Sequence, residues 1–126
     1  MIQSETRDGV AVVTLSRVEK RNALTAPMLV QLGEAVRSIE SDTRVLVLSG
    51  AGETFCAGFD LSVCRDDDAA LSNMLTALYH AVDALRRAPC PVVVAAQGAA
   101  IAGGCALLGG ADFVVTNAAA KIGYPV

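Results

Sequence analysis

From Cys90 to Ala111 the chain runs for 22 residues without a charged side chain, and no other stretch constrains the fold as much. A helix of that length could cross a bilayer. Pro91, five glycines and the break at Gln97-Gly98 argue instead for a buried strand, a turn and a buried helix, since proline and repeated glycine interrupt a continuous helix. A second apolar run, Val45-Leu46-Val47-Leu48, ends in Ser49-Gly50-Ala51-Gly52, the pattern of a strand covered on both faces and followed by a loop. Apolar residues make up 53% of the chain but aromatics only 4%, with no Trp, so Ala, Val, Leu and Gly must fill the interior and backbones must pack closely.

Between these runs the periodicity changes. Val10 to Leu15 alternates after a turn signal at Asp8-Gly9 and predicts two short strands of a hairpin. Ser16 to Ala23 is a polar loop carrying Arg17, Lys20 and Arg21. Thr25 can cap a helix with Pro27 in its first turn, and Met28, Leu29, Leu32, Ala35, Val36 and Ile39 share one face, predicting a helix over 26–40. Asp66-Asp67-Asp68 opens a further helix and Arg86-Arg87 closes it, charges that complement the helix dipole. Leu71, Met74, Leu75, Leu78, Val82 and Leu85 form its expected buried stripe. Val92 to Ala96 reads as a buried strand, Gly103 to Gly110 as a short helix and Phe113 to Thr116 as another strand. Strands alternating with helices over 126 residues predict one α/β domain with parallel pairing.

Several function classes drop out. Ten basic against thirteen acidic residues give a net charge of −3, with no basic stripe interleaved with aromatics, so nucleic acid is not an expected partner. Cys56, Cys64, Cys90 and Cys105 form no C-x-x-C pair and the chain has a single His, so a reduced, cytoplasmic, metal-free protein is expected. The first residues, Met1-Ile2-Gln3-Ser4-Glu5, have neither a basic nor an apolar leader region.

Two segments carry more glycine than a turn demands: Phe55-Cys56-Ala57-Gly58-Phe59-Asp60-Leu61 and Ala99-Ala100-Ile101-Ala102-Gly103-Gly104-Cys105. Each follows an expected buried strand and precedes a helix, where backbone N–H groups are free to meet an anion or an oxyanion. Taken singly, each is also explained by tight turns and close packing. Neither matches G-x-x-x-x-G-K-[ST] or G-x-G-x-x-G, which excludes the common phosphate cradles. Gly103-Gly104-Cys105-Ala106-Leu107 approaches a nucleophile elbow but has Leu107 at its last glycine, so Cys105 reads as a small buried hydrophobe.

Taken together, the loops resemble those of the enoyl-CoA hydratase/isomerase (crotonase) family, whose members carry A-G-x-D-[LI] after one strand and a G-G turn opening a helix after another. Lys20-Arg21-Asn22-Ala23-Leu24 is similar to the family's K-x-N-A-L, Ala111-Asp112-Phe113 to its C/A-D-[FIL], and Ile122-Gly123-Tyr124-Pro125 to its F-G-x-P. The resemblance implies a crotonase-like (ClpP/crotonase) spiral of ββα units, of which this chain would be the N-terminal portion. The partner it implies is an acyl-CoA thioester with no separate cofactor, coenzyme A being part of the substrate. It places the two oxyanion donors at the N–H groups of Phe59 and Gly103. Glycine beside such donors lets main chain approach a ligand without an intervening Cβ. The same resemblance makes Lys20, Arg21, Ala23 and Ala57 a coenzyme A-binding edge, although either basic side chain could equally be solvated surface. Gly58, Asp60, Leu61, Ala102, Ala106, Pro125 and Val126 complete the implied substrate-contacting set, with Asp60 more simply read as a loop or cap residue.

The family's hydratases use two glutamates, one three residues after the second oxyanion glycine and one directly after the proline of G-x-P. Here those places hold Ala106 and Val126, which transfer no proton. Tyr79, at the margin of the expected stripe on helix 68–87, is the candidate replacement, while His80 is expected to point about 180° from the stripe centre into solvent. The sequence therefore implies either an acyl-CoA-binding enzyme whose exact reaction is open or a catalytically silent acyl-CoA-binding or scaffold subunit. The resemblance further implies that C-terminal helices would follow in a full-length member and build a homotrimer or hexamer.

Overall fold

The computed structural model describes residues 1–125. Asp8 and Gly9 both take positive φ, 53° and 80°, the conformation of a two-residue type I′ turn. They reverse β1 (Ile2–Arg7) onto β2 (Val10–Leu15) in antiparallel register. From there every added strand of the main sheet is parallel. β3 (Val45–Gly50) pairs with β2, β4 (Val92–Ala96) with β3, and β6 (Phe113–Thr116) with β4, giving the order β1-β2-β3-β4-β6.

Parallel neighbours need crossovers, and two long helices supply them. In α1 (Ala26–Arg37), the Thr25 side chain accepts a hydrogen bond from the Met28 N–H at 3.3 Å, with Pro27 in the first turn. In α3 (Asp68–Arg86), Asp67 accepts from the Ala70 N–H at 3.0 Å. Both pack on one sheet face, where Ala11, Val13, Leu15, Leu46, Leu48, Val92, Val94 and Ala96 join Met28, Leu29, Leu32 and Val36 in one core. The uncharged 90–111 stretch divides into β4, β5 (Ala99–Ile101), α4 (Gly103–Leu107) and a 3-10 turn, and no helix among the described residues is long and apolar enough to cross a membrane.

Two sequence expectations are overturned. Strands β3 and β4 are not covered on both faces. Their side chains alternate between buried and half-buried, and the in-register row Val12, Val47, Val93, Phe113 runs from half-buried to exposed. The buried face of α3 is Met74, Ala77, Ala81, Ala84 and Leu85, whereas Leu71 and Leu75 are exposed and Leu78 and Val82 only half-buried. At 100° per residue the true stripe is rotated by about 80° from the leucine stripe. Alanines at the contact let α1 approach α3 closely, and Gly33 of α1 is buried there with them. The remaining elements, α2 (Leu61–Cys64) and the pair β5 and β7 (Lys121–Gly123), are too short for sequence periodicity to register.

Candidate functional site

Both glycine loops leave the C-terminal ends of neighbouring parallel strands, the usual place for a site in an open α/β sheet. They then run side by side. Phe55 and Cys56 donate their N–H groups to the carbonyls of Gln97 (2.8 Å) and Ala99 (3.0 Å), and the Ile101 N–H returns to Cys56 at 3.1 Å. Three residues further along, Leu24 bridges to Phe59: its N–H donates to the Gly58 carbonyl at 2.7 Å and its carbonyl accepts from the Asp60 N–H at 2.8 Å. In a parallel bridge of this kind, the N–H of the central residue turns to the opposite side. Phe59 therefore presents its N–H away from Leu24.

Gly103 opens α4, so its N–H has no intrahelical acceptor. Neither the Phe59 nor the Gly103 N–H donates to a protein acceptor among the described residues. The two donor segments are in contact. A Cβ on Gly103 would lie 3.1 Å from the Phe59 ring, and one on Gly58, whose φ is +102°, would lie 3.1 Å from the Ile101 carbonyl oxygen. Burial pushes the adjacent Cys56 thiol up to about 11, so it is a packing group there and no nucleophile.

A polar support lies beneath the first donor. The Arg17 guanidinium donates to Asp60 Oδ2 at 2.8 Å and to the Ala23 carbonyl at 2.9 Å. Asp60 Oδ1 accepts from the Ser62 N–H at 3.0 Å and caps α2. The Ser62 hydroxyl, and after it the Arg17 guanidinium, hold the Asp60 carboxyl below the usual carboxylate range. Asp60 is thus an anchor of the loop, with both oxygens committed. Arg17 and Asn22, expected only as members of the polar 16–23 loop and, for Asn22, of the K-x-N-A-L-like motif, turn out to be structural: Asn22 is fully buried and its amide donates to the carbonyls of Ala51, Thr54 and Phe55. A polar residue flanked by Arg21 and Ala23 inside a motif was the only available signal.

The pair sets a pH dependence. A depressed folded-state pKa means that the stabilisation is present above the unfolded value of about 3.9 and is lost as pH falls through the folded value. Asp60→Asn should therefore be less stable than the parent by about 2 kcal/mol near neutral pH, the scale of hydrogen bonds to a charged group. Urea unfolding from pH 7 to pH 3 should show that gap closing below about pH 4. A gap that stays constant throughout would remove the charge from the account.

The other candidate residues fall in three places. Lys20 and Arg21 are exposed, and Arg21, in left-handed backbone, lines an open cavity of about 360 Å³ with Val18, Ala51, Gly52, Glu53 and Thr54. Ala57 is tied to that edge, its N–H donating to the Arg21 carbonyl at 3.1 Å. Ala102 and Ala106 are half-buried around the start of α4, while Leu61 and Pro125 are exposed. Val126 lies outside the described residues. Tyr79 is not at the margin of a buried stripe. The rotation of α3 turns it away from the packed face, 66% exposed, where its ring meets that of His80 edge to face at a centroid distance of 5.4 Å. His80, in turn, stays exposed but lies on the α1 side, lining a cleft with Val30, Gly33 and Arg37, not opposite the packed surface as expected.

With the two loops joined and their donors unused, comparison with known proteins is decisive. The profile of the family described as Enoyl-CoA hydratase/isomerase matches residues 5–126. The chain belongs to the enoyl-CoA hydratase/isomerase family. It is similar to a Rhodobacter capsulatus protein named "Probable enoyl-CoA hydratase", 36% identical over 115 residues that cover 90% of this chain and 45% of that one. The 1,2-epoxyphenylacetyl-CoA isomerase of Escherichia coli is 35% identical over 127 residues, covering 95% of this chain and 48% of the isomerase. Among solved structures, an enoyl-CoA hydratase/carnithine racemase from Magnetospirillum magneticum superposes with a TM-score of 0.88 at 31% identity, over 98% of this chain and 49% of its own. The α/β fold is thus that of the crotonase-family enoyl-CoA hydratases. The chain spans about half the length of the curated relatives it matches.

Proposed function

We propose that this chain carries an acyl-CoA thioester site in which the thioester carbonyl oxygen is held between the N–H groups of Phe59 and Gly103. The observation that carries the reading is the pair of N–H groups without protein acceptors, on two loops in contact at the family's own motifs. A Thermobifida fusca YX protein that superposes with a TM-score of 0.83 at 27% identity was solved in complex with acetoacetyl-CoA, which supports a coenzyme A thioester as the ligand class. Proton loss at the α-carbon, or attack at the β-carbon, of such a thioester drives charge onto the carbonyl oxygen as an enolate. Two preorganised donors aimed at that oxygen contribute about 3 kcal/mol each to lowering the barrier.

Proton transfer is a separate requirement. Ala106 stands where the family resemblance puts one glutamate, and a methyl group neither gives nor takes a proton. The reading is therefore an acyl-CoA-binding enzyme of the hydratase/isomerase family whose reaction is not two-glutamate hydration. Coenzyme A would lie along Arg21 and Ala57, and assembly into trimers or hexamers belongs to the same proposal for a full-length protein.

The test pairs binding with turnover. Enoyl-, hydroxyacyl- and haloacyl-CoA thioesters are offered to the chain, and both affinity and product are measured. Turnover of one class identifies the reaction, and tight binding without any turnover supports the catalytically silent alternative. Gly103→Pro deletes one donor and should weaken thioester binding by about tenfold, the loss of roughly one buried hydrogen bond. Gly103→Ala adds the Cβ but keeps the N–H and separates crowding against Phe59 from donor loss. Unchanged binding in Gly103→Pro would count against the oxyanion assignment.

A further inference from the structure

Ala102 stands immediately before the second donor with φ +50° and ψ −111°, the dihedrals of the first central residue of a type II′ turn, a position that glycine dominates because a Cβ is crowded there. An alanine persists in such a conformation only where its surroundings over-determine it. They do so from both sides. The Ala102 N–H donates to the Gly123 carbonyl of β7 at 2.9 Å, and its own carbonyl accepts from the Ala106 N–H at 2.9 Å. Strand β7 is itself held by its parallel pairing with β5 and by the Lys121 N–H, which donates to the Gly98 carbonyl at 2.8 Å.

The consequence concerns the neighbouring residue. The Gly103 N–H lies in the peptide plane between Ala102 and Gly103, and the orientation of that plane about the chain is ψ of Ala102. Relaxation of Ala102 to the right-handed helical conformation would change ψ by about 70° and φ by about 110°, and would carry the Gly103 N–H with it. The Ala102 methyl, 3.7 Å from where a Cβ on Gly58 would begin, lies against the loop that bears the first donor. We infer that Ala102 is a positioning residue that aims the Gly103 N–H, and that the Gly123 carbonyl is the clamp holding it in that conformation. Docking of β7 is then a condition for the second donor to be in place. This rests on the carbonyl-binding reading above and extends it to a segment that the reading leaves without a task.

Cinnamoyl-CoA is a suitable probe, because its conjugated carbonyl absorbs at longer wavelength as its oxygen is polarised. With saturating probe the parent chain should show a red-shifted band. Ala102→Gly, free to adopt the same dihedrals, should retain it. Ala102→Val, whose branched side chain cannot, should lose most of the shift and bind about tenfold more weakly. A valine variant that keeps the full shift at saturation overturns the positioning role, since a residue that only stabilises the fold would lower the melting temperature and leave the bound spectrum alone. If the valine variant does not fold, Lys121→Pro, which removes the amide bonded to Gly98, takes its place with the same expectation. A parent chain that binds cinnamoyl-CoA with no red shift overturns the oxyanion reading itself, and this inference with it. Hydrogen exchange on the free chain reads the clamp without any ligand: the Ala102 amide should exchange at least a hundredfold more slowly than the Gly103 amide. Equal rates would overturn the clamp.

Discussion

Gly98→Ala is expected to lower the melting temperature by about 15 °C, or to prevent folding, through the loss of about 4 kcal/mol. Its φ is +72°, and a Cβ built there would lie 2.0 Å from the Glu53 carbonyl oxygen, a backbone atom that cannot rotate aside. The left-handed conformation costs alanine about 1 kcal/mol, and forced displacement in a packed region adds about 1–3 kcal/mol or more. Displacement would be costly because the junction is bonded on every side. The Gln97 amide donates to the carbonyls of Gly50 (2.6 Å) and Gly52 (3.1 Å), the Gly98 N–H donates to Asn117 Oδ1 at 3.0 Å, and the Gly98 carbonyl receives Lys121. Thermal and urea unfolding read the effect directly. A variant within 3 °C of the parent would mean that the segment at Glu53 yields freely, at about 4 °C per kcal/mol for a chain of this size.

Asn22→Ala should be nearly as damaging, at about 4 kcal/mol. The Asn22 amide serves the carbonyls of Ala51, Thr54 and Phe55 at 2.9, 2.8 and 3.2 Å, and its Oδ1 accepts the Arg17 N–H at 2.8 Å. Truncation leaves these groups unpaired in the interior, at about 1–3 kcal/mol each where water cannot reach. Asparagine also tolerates the left-handed φ of +58° found here better than alanine does. Asn22→Asp is the sharper test, since it keeps the shape and the acceptor but turns a carboxylate toward three carbonyl oxygens. It should be at least as destabilised at neutral pH and recover partly in acid as the carboxyl is protonated. An aspartate variant with parent-like stability would show that the amide donors are dispensable. Because the loop that Asn22 holds leads directly to Phe59, thioester affinity should fall with stability in both variants.

How much of this was legible beforehand depended on the range of the interaction that decides each feature. The parallel strands, the start of α1 and its Thr25 cap are set by neighbours in sequence, and they stand where the apolar runs and capping residues put them, although α1 ends at Arg37 with Ser38 as its cap, short of the expected residue 40 and of Ile39. The buried face of α3 is set by α1. Leucine outweighs alanine in any hydrophobic count, but Ala77, Ala81 and Ala84 win the contact because their small side chains let two helices approach closely. Tyr79 and His80 were misplaced by the same rotation. At the site, glycine marked both loops, while the proposal of the Phe59 and Gly103 N–H groups as donors rests on the resemblance of the motifs to the family's and not on the glycines themselves. The support could not be read, because Arg17 and Asp60 are 43 residues apart and an ion pair at that separation leaves no local pattern. The strain at Ala102 was equally silent, since nothing in its identity distinguishes it from the alanines around it.

The last strand of the main sheet has a bearing on how this polypeptide behaves at high concentration. In β6, Phe113, Val114 and Val115 are 65%, 44% and 59% exposed, and among the described residues the strand has a neighbour on one side only. An uncovered row of backbone donors and acceptors, carrying β-branched and aromatic side chains on both surfaces and no lysine or proline to interrupt it, is a template on which another extended chain can grow. For these 126 residues by themselves, that open edge is a place where association can start, and charges placed on Phe113–Thr116 should act on it more directly than a change to the net charge elsewhere.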